Sequence, residues 1–238
     1  MSGLPNETAQ TEDFEFAALS EAKNYRNALL REFSGHLHES VLEVGAGIGQ
    51  ITGQLLQNPA ITRLVSIEPD PKFCAGLRTA FPAHAFIEGT IDDLKNDDAW
   101  NAILSVNVLE HISEDERELG IYRQKLSREK GTLCLFVPAR PEIFAPIDRD
   151  FGHFRRYTQP ELRGKLEGAG FEILQLRYYN FAGYFAWWLN FCVLKKRSFD
   201  LQSVRIFDRV IFPPVHAIES KICLPPIGQS LLAIARAK

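Results

Sequence analysis

The stretch VLEVGAGIGQ, residues 41–50, decides the fold of this chain. Its first four residues are apolar except for Glu43, and an apolar run of this kind predicts a short strand that is buried on both faces. Three glycines follow at alternate positions, and the residues after them predict a helix. Glycine adopts positive φ angles and lets another molecule approach the backbone closely. The stretch therefore predicts a strand, a glycine turn and a helix that together form a ligand-binding edge.

The glycine spacing and the acid before it indicate which ligand this turn binds. A dinucleotide site needs G-x-G-x-x-G, in which a helix N-terminus faces a pyrophosphate, and here the third glycine comes one residue early. The Glu43 carboxylate would repel a phosphate and favour a cation. The combination suits S-adenosylmethionine (SAM), which carries an ammonium and a sulfonium group and no phosphate. The alternative is a tight turn without a ligand, but such turns rarely combine three glycines with an acid.

The run E-x-G-x-G-x-G at residues 43–49 resembles the first motif of the class I SAM-dependent methyltransferases. The resemblance implies a three-layer, Rossmann-like α/β fold with a seven-stranded, mostly parallel sheet whose last strand is antiparallel. We expect a single methyltransferase domain over residues 13–238, after a disordered N-terminus at 1–12, with a helical insertion or lid at 180–229 between strands six and seven. Apolar runs predict strands at 41–44, 64–70, within 85–94, at the start of 100–112, and at 131–139, 171–179 and 230–237.

Composition and charge exclude several other classes of protein. The net charge of −3 gives no general nucleic-acid-binding surface. The four cysteines are widely spaced without a C-x-x-C pair, which predicts reduced thiols in a cytoplasmic protein rather than a disulfide framework or a zinc knuckle. The first residues are polar and acidic, unlike a signal peptide, and no apolar run reaches the about 18 residues that a membrane span needs. These features favour a cytoplasmic protein that acts on a small molecule.

The resemblance assigns a cofactor-binding role to residues in the glycine turn and at the strand ends. Glu68 follows the glycines by about twenty residues, where an acid accepts hydrogen bonds from ribose hydroxyls; the alternative is an exposed charge at a strand end. The family usually has an acid for the adenine amino group where this chain has Thr90, so Ile91 is expected to pack on the adenine, with Asp92 as the alternative acid. The full predicted set for SAM is Tyr25, Glu43, Gly45, Ala46, Gly47, Gly49, Glu68, Pro69, Thr90, Ile91 and Asn107.

Three positions are predicted at the methionine end of SAM. Tyr25 would close over the methionine, although an aromatic contact between helix and sheet explains this residue equally well. The run N-V-L-E-H-I at 107–112 resembles the family's fourth motif, which sets Asn107 beside the methionine and His111 near the methyl group. A histidine accepts a proton near neutral pH because its reference pKa is about 6.5. The alternative is that His111 only orders the loop.

The loop at 140–158 is the least generic part of the chain. Its run D-x-x-x-G-H-x-R-R-Y, from Asp148 to Tyr157, resembles a subgroup of bacterial methyltransferases that serve glycan, lipid-linked and secondary-metabolite pathways. We expect the loop over the carboxyl ends of the strands, with His153, Arg156 and Tyr157 lining the acceptor site and His153 as a second candidate base. Arginine suits an anionic group on the acceptor. The alternative is that ion pairs merely fix the loop, and they would join Arg155 and Arg156 to Asp148 and Asp150.

The run FAGYFAWWLNFCVL at 181–194 is nearly all apolar and is followed by the basic triplet Lys195-Lys196-Arg197. It is too short to span a bilayer. A buried helix explains it most simply. The alternatives are a helix at a membrane interface, a hydrophobic lid over a greasy acceptor, and a dimer contact.

These features predict a SAM-dependent methyltransferase whose acceptor is a hydroxyl oxygen of a glycan, a lipid-linked compound or a secondary metabolite. The hydroxyl would attack the methyl group in line with the sulfur, which yields S-adenosylhomocysteine (SAH), and loss of its proton motivates a general base. We expect no metal ion, since the sequence shows no cluster of metal ligands. The alternatives are methylation of nitrogen or carbon in a natural product, and a non-catalytic SAM-binding protein. Glu43 and the early third glycine argue against a nicotinamide dehydrogenase.

Overall fold

The computed structural model describes residues 20–95, 99–127 and 131–238. The strands are β1 Glu39–Val44, β2 Ile61–Glu68, β3 Ala85–Glu88, β4 Ala102–Val106, β5 Thr132–Pro138, β6 Phe171–Tyr179 and β7 Ser230–Ala237. They form one sheet in the order β3-β2-β1-β4-β5-β7-β6, in which β7 runs antiparallel to both β5 and β6. The other neighbouring pairs are parallel. The predicted Rossmann-like fold is therefore confirmed, whereas the prediction of disorder at 1–12 falls outside the described residues.

Alternate residues of the central strands face two different cores. In β1, Leu42 and Val44 belong to one buried cluster and Val41 to the cluster on the opposite face. In β5, Leu135 and Cys134 divide between the two clusters in the same way. Successive side chains of a strand point to opposite faces, so a strand that is apolar at every position must be covered on both sides. This explains the continuous apolar runs of the sequence.

Helices cover the two faces of the sheet. Tyr122 and Leu162 pack on one face, and Phe33 and Phe212 pack on the other. The helices of the described residues are α1 Lys23–Phe33, α2 Thr52–Leu55, α3 Pro71–Ala80, α4 Asp115–Lys125, α5 Pro146–Asp150, α6 Gln159–Gly168, α7 Phe181–Trp187, α8 Leu201–Ile206 and α9 Phe212–Lys221. The helix predicted after the glycine turn is the short α2.

Residues 180–229 form a helical insertion between β6 and β7. Helix α7 continues into a π-helical turn at Trp188–Val193, and a second one at Phe207–Ile211 joins α8 to α9. Its first helix packs on the loop after β5, where Trp187 shares a small core with Ile147. The insertion therefore lies against the loop that carries the D-x-x-x-G-H-x-R-R-Y run. None of the helices in the described ranges is both long enough and apolar enough to cross a membrane.

Substitutions at two glycines measure how closely the insertion packs against the sheet. A Cβ at Gly228 would lie 2.4 Å from the backbone oxygen of Tyr179, whereas a Cβ at Gly164, in the middle of α6, would meet nothing within 4 Å. We expect Gly228→Ala to lower the free energy of unfolding by about 1–3 kcal/mol, because the contact forces backbone to move. Gly164→Ala, the matched control, should raise it by about 0.5–1 kcal/mol. Urea denaturation measures both, and equal stability of the two variants would contradict the described packing.

Candidate active site

The glycine turn follows β1 and is tied to the end of β2. Gly45, Gly47 and Gly49 all have positive φ, at 78°, 53° and 81°. The backbone amides of Gly45 and Ala46 donate to the carbonyl of Ile67 at 2.9 and 3.0 Å. A side chain at Gly45 would collide with the neighbouring loop, since a Cβ there would lie 2.3 Å from a methyl group of Val108. The alternating glycines are thus required by the backbone path, and the turn presents its backbone at the edge of the sheet.

Glu68 closes this turn from the end of β2. Its Oε2 accepts a hydrogen bond from the Gly47 amide at 2.7 Å, and its Oε1 accepts one from the Asp70 amide at 2.9 Å. Pro69 lies between the two acids and precedes α3, whose first turn is capped by Asp70. Burial raises the pKa of Glu68 above its ordinary value, although both amides oppose that shift. A carboxylate oxygen can accept more than one hydrogen bond, so the two oxygens of Glu68 can still accept hydrogen bonds from a diol.

Glu43 is buried behind the turn. Its Oε2 accepts hydrogen bonds from the hydroxyls of Thr52 and Ser66 at 2.7 and 2.6 Å. Burial raises the pKa of Glu43 to about 7, against the opposing effect of these hydrogen bonds. The carboxylate therefore joins β1 to the start of α2 and to β2, and its predicted contact with the cofactor stays a prediction.

The predicted adenine residues lie after β3. The Thr90 amide donates to Asp93 at 2.8 Å, and the Ile91 side chain is buried in the core. Asp92, the alternative acid, forms an exposed bidentate ion pair with Arg117 at 2.9 and 3.0 Å. In this arrangement Asp92 points to a neighbouring helix, and the adenine roles of Thr90 and Ile91 stay predictions.

A cavity of about 470 Å³ lies between the ends of the central strands and the insertion. Its walls are largely aromatic and aliphatic, and many come from the insertion. Four of the predicted site residues line it, namely Tyr25, Asn107, His153 and Arg156. Other lining residues, which the sequence reasoning did not identify, include Glu110, Phe151, Trp187, Phe191, Phe199, Ile206, Phe207 and Ile211.

Tyr25 and Asn107 stand where the cavity meets the sheet. The Tyr25 ring packs on Phe136, Tyr179 and Phe212 with centroid distances of 5.0–6.2 Å. Burial raises the pKa of Tyr25 far above its ordinary value, so the phenol stays neutral. Asn107 has a φ of 53°, and its amide donates to the Phe136 carbonyl at 2.9 Å. The aromatic helix–sheet contact proposed as an alternative for Tyr25 is present, and the same ring also lines the cavity.

His153 is held in one orientation by a buried carboxylate. Its Nδ1 lies 3.1 Å from Asp148 Oδ1, which also accepts from Arg156 Nε at 2.9 Å. Burial opposes ionisation of Asp148, but the hydrogen bond from His153 and the charge of Arg156 hold its pKa below the ordinary value. Because an ionised carboxylate only accepts, Nδ1 carries the proton and a neutral ring has its lone pair on Nε2. That atom is buried and lacks a hydrogen-bond partner among the described residues.

The loop arginines are engaged in ion pairs, and of the predicted acceptor residues Arg156 lines the cavity whereas Tyr157 does not. Arg156 is buried against Asp148 and lies over the Trp187 ring at 4.4 Å. Arg155 pairs with Asp115 at 2.7 Å rather than with an acid of its own loop. Tyr157 is fully buried outside the cavity, because its hydroxyl donates to the Asp115 carboxylate at 2.9 Å. The ion-pair alternative is therefore correct for Arg156 and wrong in its partner for Arg155.

His111 lies beside His153, with ring centroids 4.6 Å apart. Desolvation, with a smaller contribution from His153, lowers the pKa of His111 to about 4, although part of the side chain is exposed. Donor atoms of His111, His153 and the buried Glu110 lie within 4.8 Å of one another, which is close enough to hold a metal ion. This cluster could not be predicted from the sequence, because His153 lies in a different loop from Glu110 and His111. The structure thus brings together a candidate group of ligands, and the expectation of no metal ion stays a prediction.

The structure has a glycine turn after the first strand, an acid at the end of the second strand, and this order of strands in the sheet. These features together are typical of the class of SAM-dependent methyltransferases. The sequence matches the family model for a methyltransferase domain over residues 18–176, more than half of the chain. The protein therefore belongs to this methyltransferase family, and SAM is its cofactor.

Comparison with known structures agrees with this assignment. A chain of the complex between the Haloferax volcanii Trm112 activator and a methyltransferase is 16% identical, with 99% of each chain covered and a TM-score of 0.63. A SAM-dependent methyltransferase from Mesorhizobium loti is 16% identical over 84% of this chain and 92% of that chain, with a TM-score of 0.57. The N-methyltransferase NodS from Bradyrhizobium japonicum, in complex with SAH, is 14% identical over 90% and 85%, with a TM-score of 0.57. No curated protein matches the chain.

The position of Glu43 predicts a pH dependence of stability. The folded protein binds the Glu43 proton with a pKa of about 7, above the ordinary value of 4.5. The folded state therefore binds more protons than the unfolded state between these values, and stability falls as the pH rises through this window. Glu43→Gln removes this titration. The free energy of unfolding of the variant, relative to that of wild type, should therefore rise by about 2 kcal/mol when the pH is raised from 5 to 8. Parallel curves for the two proteins in urea denaturation would show that Glu43 titrates normally.

The position of Glu68 predicts a loss of cofactor affinity on substitution. Glu68→Ala should weaken SAM and SAH by about 1.5–3 kcal/mol, because the variant loses a buried charged acceptor. Glu88→Ala is the matched control, since Glu88 pairs with Glu68 in the register of β2 and β3 but is exposed. Calorimetric titration with SAH gives the affinity, and urea denaturation without ligand reports damage to the turn. Unchanged affinity in Glu68→Ala would remove this residue from the cofactor site.

Proposed function

We propose that this methyltransferase methylates a hydroxyl oxygen of a small-molecule acceptor, of the glycan, lipid-linked or secondary-metabolite kind. The observation that carries the proposal is His153, which lines the cavity, whose ring is oriented by Asp148 and whose Nε2 is buried without a partner among the described residues. An alcohol has to lose its proton as it is methylated, so a positioned base favours an oxygen acceptor. The largely apolar walls of the cavity suit an acceptor with a substantial apolar part.

The cofactor fits the residues at the edge of the sheet. The amides of Gly45, Ala46, Gly47 and Gly49 are engaged within the protein, so we assign the ribose hydroxyls to the remaining acceptor capacity of the Glu68 carboxylate. Ala46, Gly47 and Gly49 belong to the glycine turn, and we assign the methionine end of SAM to Asn107 and Tyr25, which line the cavity. When bound, SAM supplies an electrophilic methyl group on a sulfonium and leaves as SAH. The proposed adenine contacts are Thr90 and Ile91, beside Pro69.

The roles of the two histidines follow from their surroundings. His153 Nε2 takes the proton of the acceptor hydroxyl, while Asp148 keeps the ring in the productive tautomer and stabilises the imidazolium that forms. His111 has a pKa of about 4, so it is a weak base at neutral pH. We therefore assign proton acceptance to His153 and assign His111 to packing against that ring. Walls from the insertion exclude water and hold the acceptor in line, which supplies much of the rate enhancement.

Two further readings stay open to experiment. A nitrogen acceptor, as NodS takes in its name, can lose its proton after the attack and depends less on a base. A protein that binds SAM without turnover would show no SAH production at all. The buried and half-buried free thiols Cys74, Cys134 and Cys192 support the proposed location in the cytoplasm, where thiols stay reduced.

The test is SAH production from SAM with a panel of soluble, phosphorylated and lipid-linked hydroxyl compounds and matched amines. With a hydroxyl acceptor, His153→Ala should lower kcat by about 10²–10⁴-fold, because it removes the base, and should leave SAH affinity unchanged, because His153 is not among the residues assigned to the cofactor. His38→Ala, an exposed histidine near β1, is the control and should behave as wild type. Normal turnover in His153→Ala, or activity confined to amines, would overturn the proposal.

A chelator separates a base from a metal ligand at the same atom. If His153 Nε2 accepts the proton, EDTA leaves turnover unchanged. If Glu110, His111 and His153 bind a divalent ion, EDTA abolishes turnover and an added divalent ion restores it. The second result would replace general-base catalysis by activation of the hydroxyl on a metal.

A further inference from the structure

We propose that the outer face of the helical insertion binds an anionic phospholipid surface. This face consists of exposed apolar residues from all three helices and their π-helical turns, and its most exposed members, Val210 and Ile222, are 65% and 78% accessible. Monomeric soluble proteins rarely expose apolar patches of this extent without a partner. The proposal does not depend on the chemistry of the acceptor, since binding to a vesicle is measured without turnover.

The exposed apolar residues recur at helical spacing. Phe181, Phe185 and Leu189 are exposed at intervals of four on the first helix and its π-helical turn. Ile206 and Val210 repeat that interval on the second segment, and Ile218 and Ile222 repeat it on α9. Residues four apart lie on the same side of a helix. Each helical segment of the insertion therefore turns one apolar stripe to solvent.

Two of the three acids of the insertion lie on its inner side. Asp208 is buried and accepts hydrogen bonds from the amides of Asn24 and Tyr25 at 3.0 and 2.8 Å. Glu219 is buried and accepts from the amides of Asn180 and Phe181 at 3.0 and 2.6 Å. These two acids thus face the protein, whereas the third acid of the insertion, Asp200, is exposed and caps α8.

The basic residues of the insertion are exposed instead, next to the apolar stripes. Lys195 and Lys196 follow the first stripe, next to Arg197, which is paired with Asp150. Arg209 adjoins Val210, and Lys221 adjoins Ile222. This asymmetry stands out in a chain whose net charge is −3. Apolar stripes flanked by cations are typical of helices that lie in a membrane interface, where each cation is attracted by anionic head groups. A second copy of the chain would bring like charges together, so the charge pattern favours lipid over a dimer.

The cavity opens onto the same face. Ile206 and Ile211 line the cavity and are also exposed, at 57% and 42%. Docking on a bilayer would therefore place the cavity mouth at the lipid surface. A lipid-linked acceptor then enters along an apolar path, whereas a dimer contact at this face would cover the mouth.

Vesicle binding by the full chain tests the proposal. Of the three tryptophans, Trp100 and Trp187 are buried and Trp188 is 46% exposed, so Trp188 reports contact with this face. Vesicles of phosphatidylglycerol and phosphatidylcholine should pellet the protein and shift its emission to the blue. Pure phosphatidylcholine should do so weakly, and salt should release the protein. Trp188→Phe should abolish the spectral shift.

Charge substitutions locate the surface. Val210→Glu with Ile222→Glu should weaken vesicle binding by about tenfold or more, because each places an anion in the apolar stripe. Leu56→Glu, at a residue 45% exposed near the end of α2, is the matched control and should bind as wild type. The proposal is overturned if anionic vesicles do not bind wild type, or if the double variant and the control bind alike. Light scattering that shows a dimer, abolished by the double variant and without vesicle binding, would assign the face to a second copy. A wild-type protein that turns over substrate but does not bind anionic vesicles would overturn this inference and leave the proposed function standing.

Discussion

The carboxylate of Asp148 is the group on which both the acceptor loop and the roof of the cavity depend. It accepts hydrogen bonds from the Ala145 amide, the His153 ring and the Arg156 guanidinium. Arg156 extends the connection to the insertion, since its guanidinium lies over the Trp187 ring. A buried carboxylate is stable only when it is paired and fully hydrogen bonded. The loop, the histidine and the first insertion helix therefore adopt mutually dependent positions.

This dependence changes what the acceptor site can recognise. Arginines in the loop suggest an anionic acceptor, but Arg156 is engaged by Asp148 and Arg155 by Asp115. A buried arginine that already forms two charged hydrogen bonds cannot turn to a ligand without leaving a carboxylate unpaired, at a cost of about 3–5 kcal/mol. Recognition then falls to the aromatic and aliphatic walls and to other polar lining residues, which include His153, Asn107 and Lys196. An acceptor with a large apolar part is the natural consequence.

The sequence predicts the cofactor edge well and the acceptor side poorly, for a physical reason. At Gly45 and Gly49 the backbone conformation follows from the residue type itself, so the motif predicts the turn without knowledge of distant contacts. Partners of charged groups depend instead on which elements meet in space. Arg155 pairs with Asp115, forty residues away along the chain, and the Tyr157 hydroxyl donates a hydrogen bond to the same carboxylate. Spacing within the loop does not contain that information.

The insertion shows the same dependence on distant contacts, and it explains why the outer face is basic. The first residues of α1 and α7 need acceptors for backbone amides that no helix satisfies, and Asp208 and Glu219 supply them from the inside. These hydrogen bonds hold the insertion above the cavity. Asp208 binds the backbone amide of Tyr25, and the side chain of the same residue lines the cavity. Since the insertion commits two of its three acids to inner contacts, cations outnumber acids on its outer side, where Asp200 is the exposed acid. The closure of the cavity and the polarity of the exposed face thus have one structural origin.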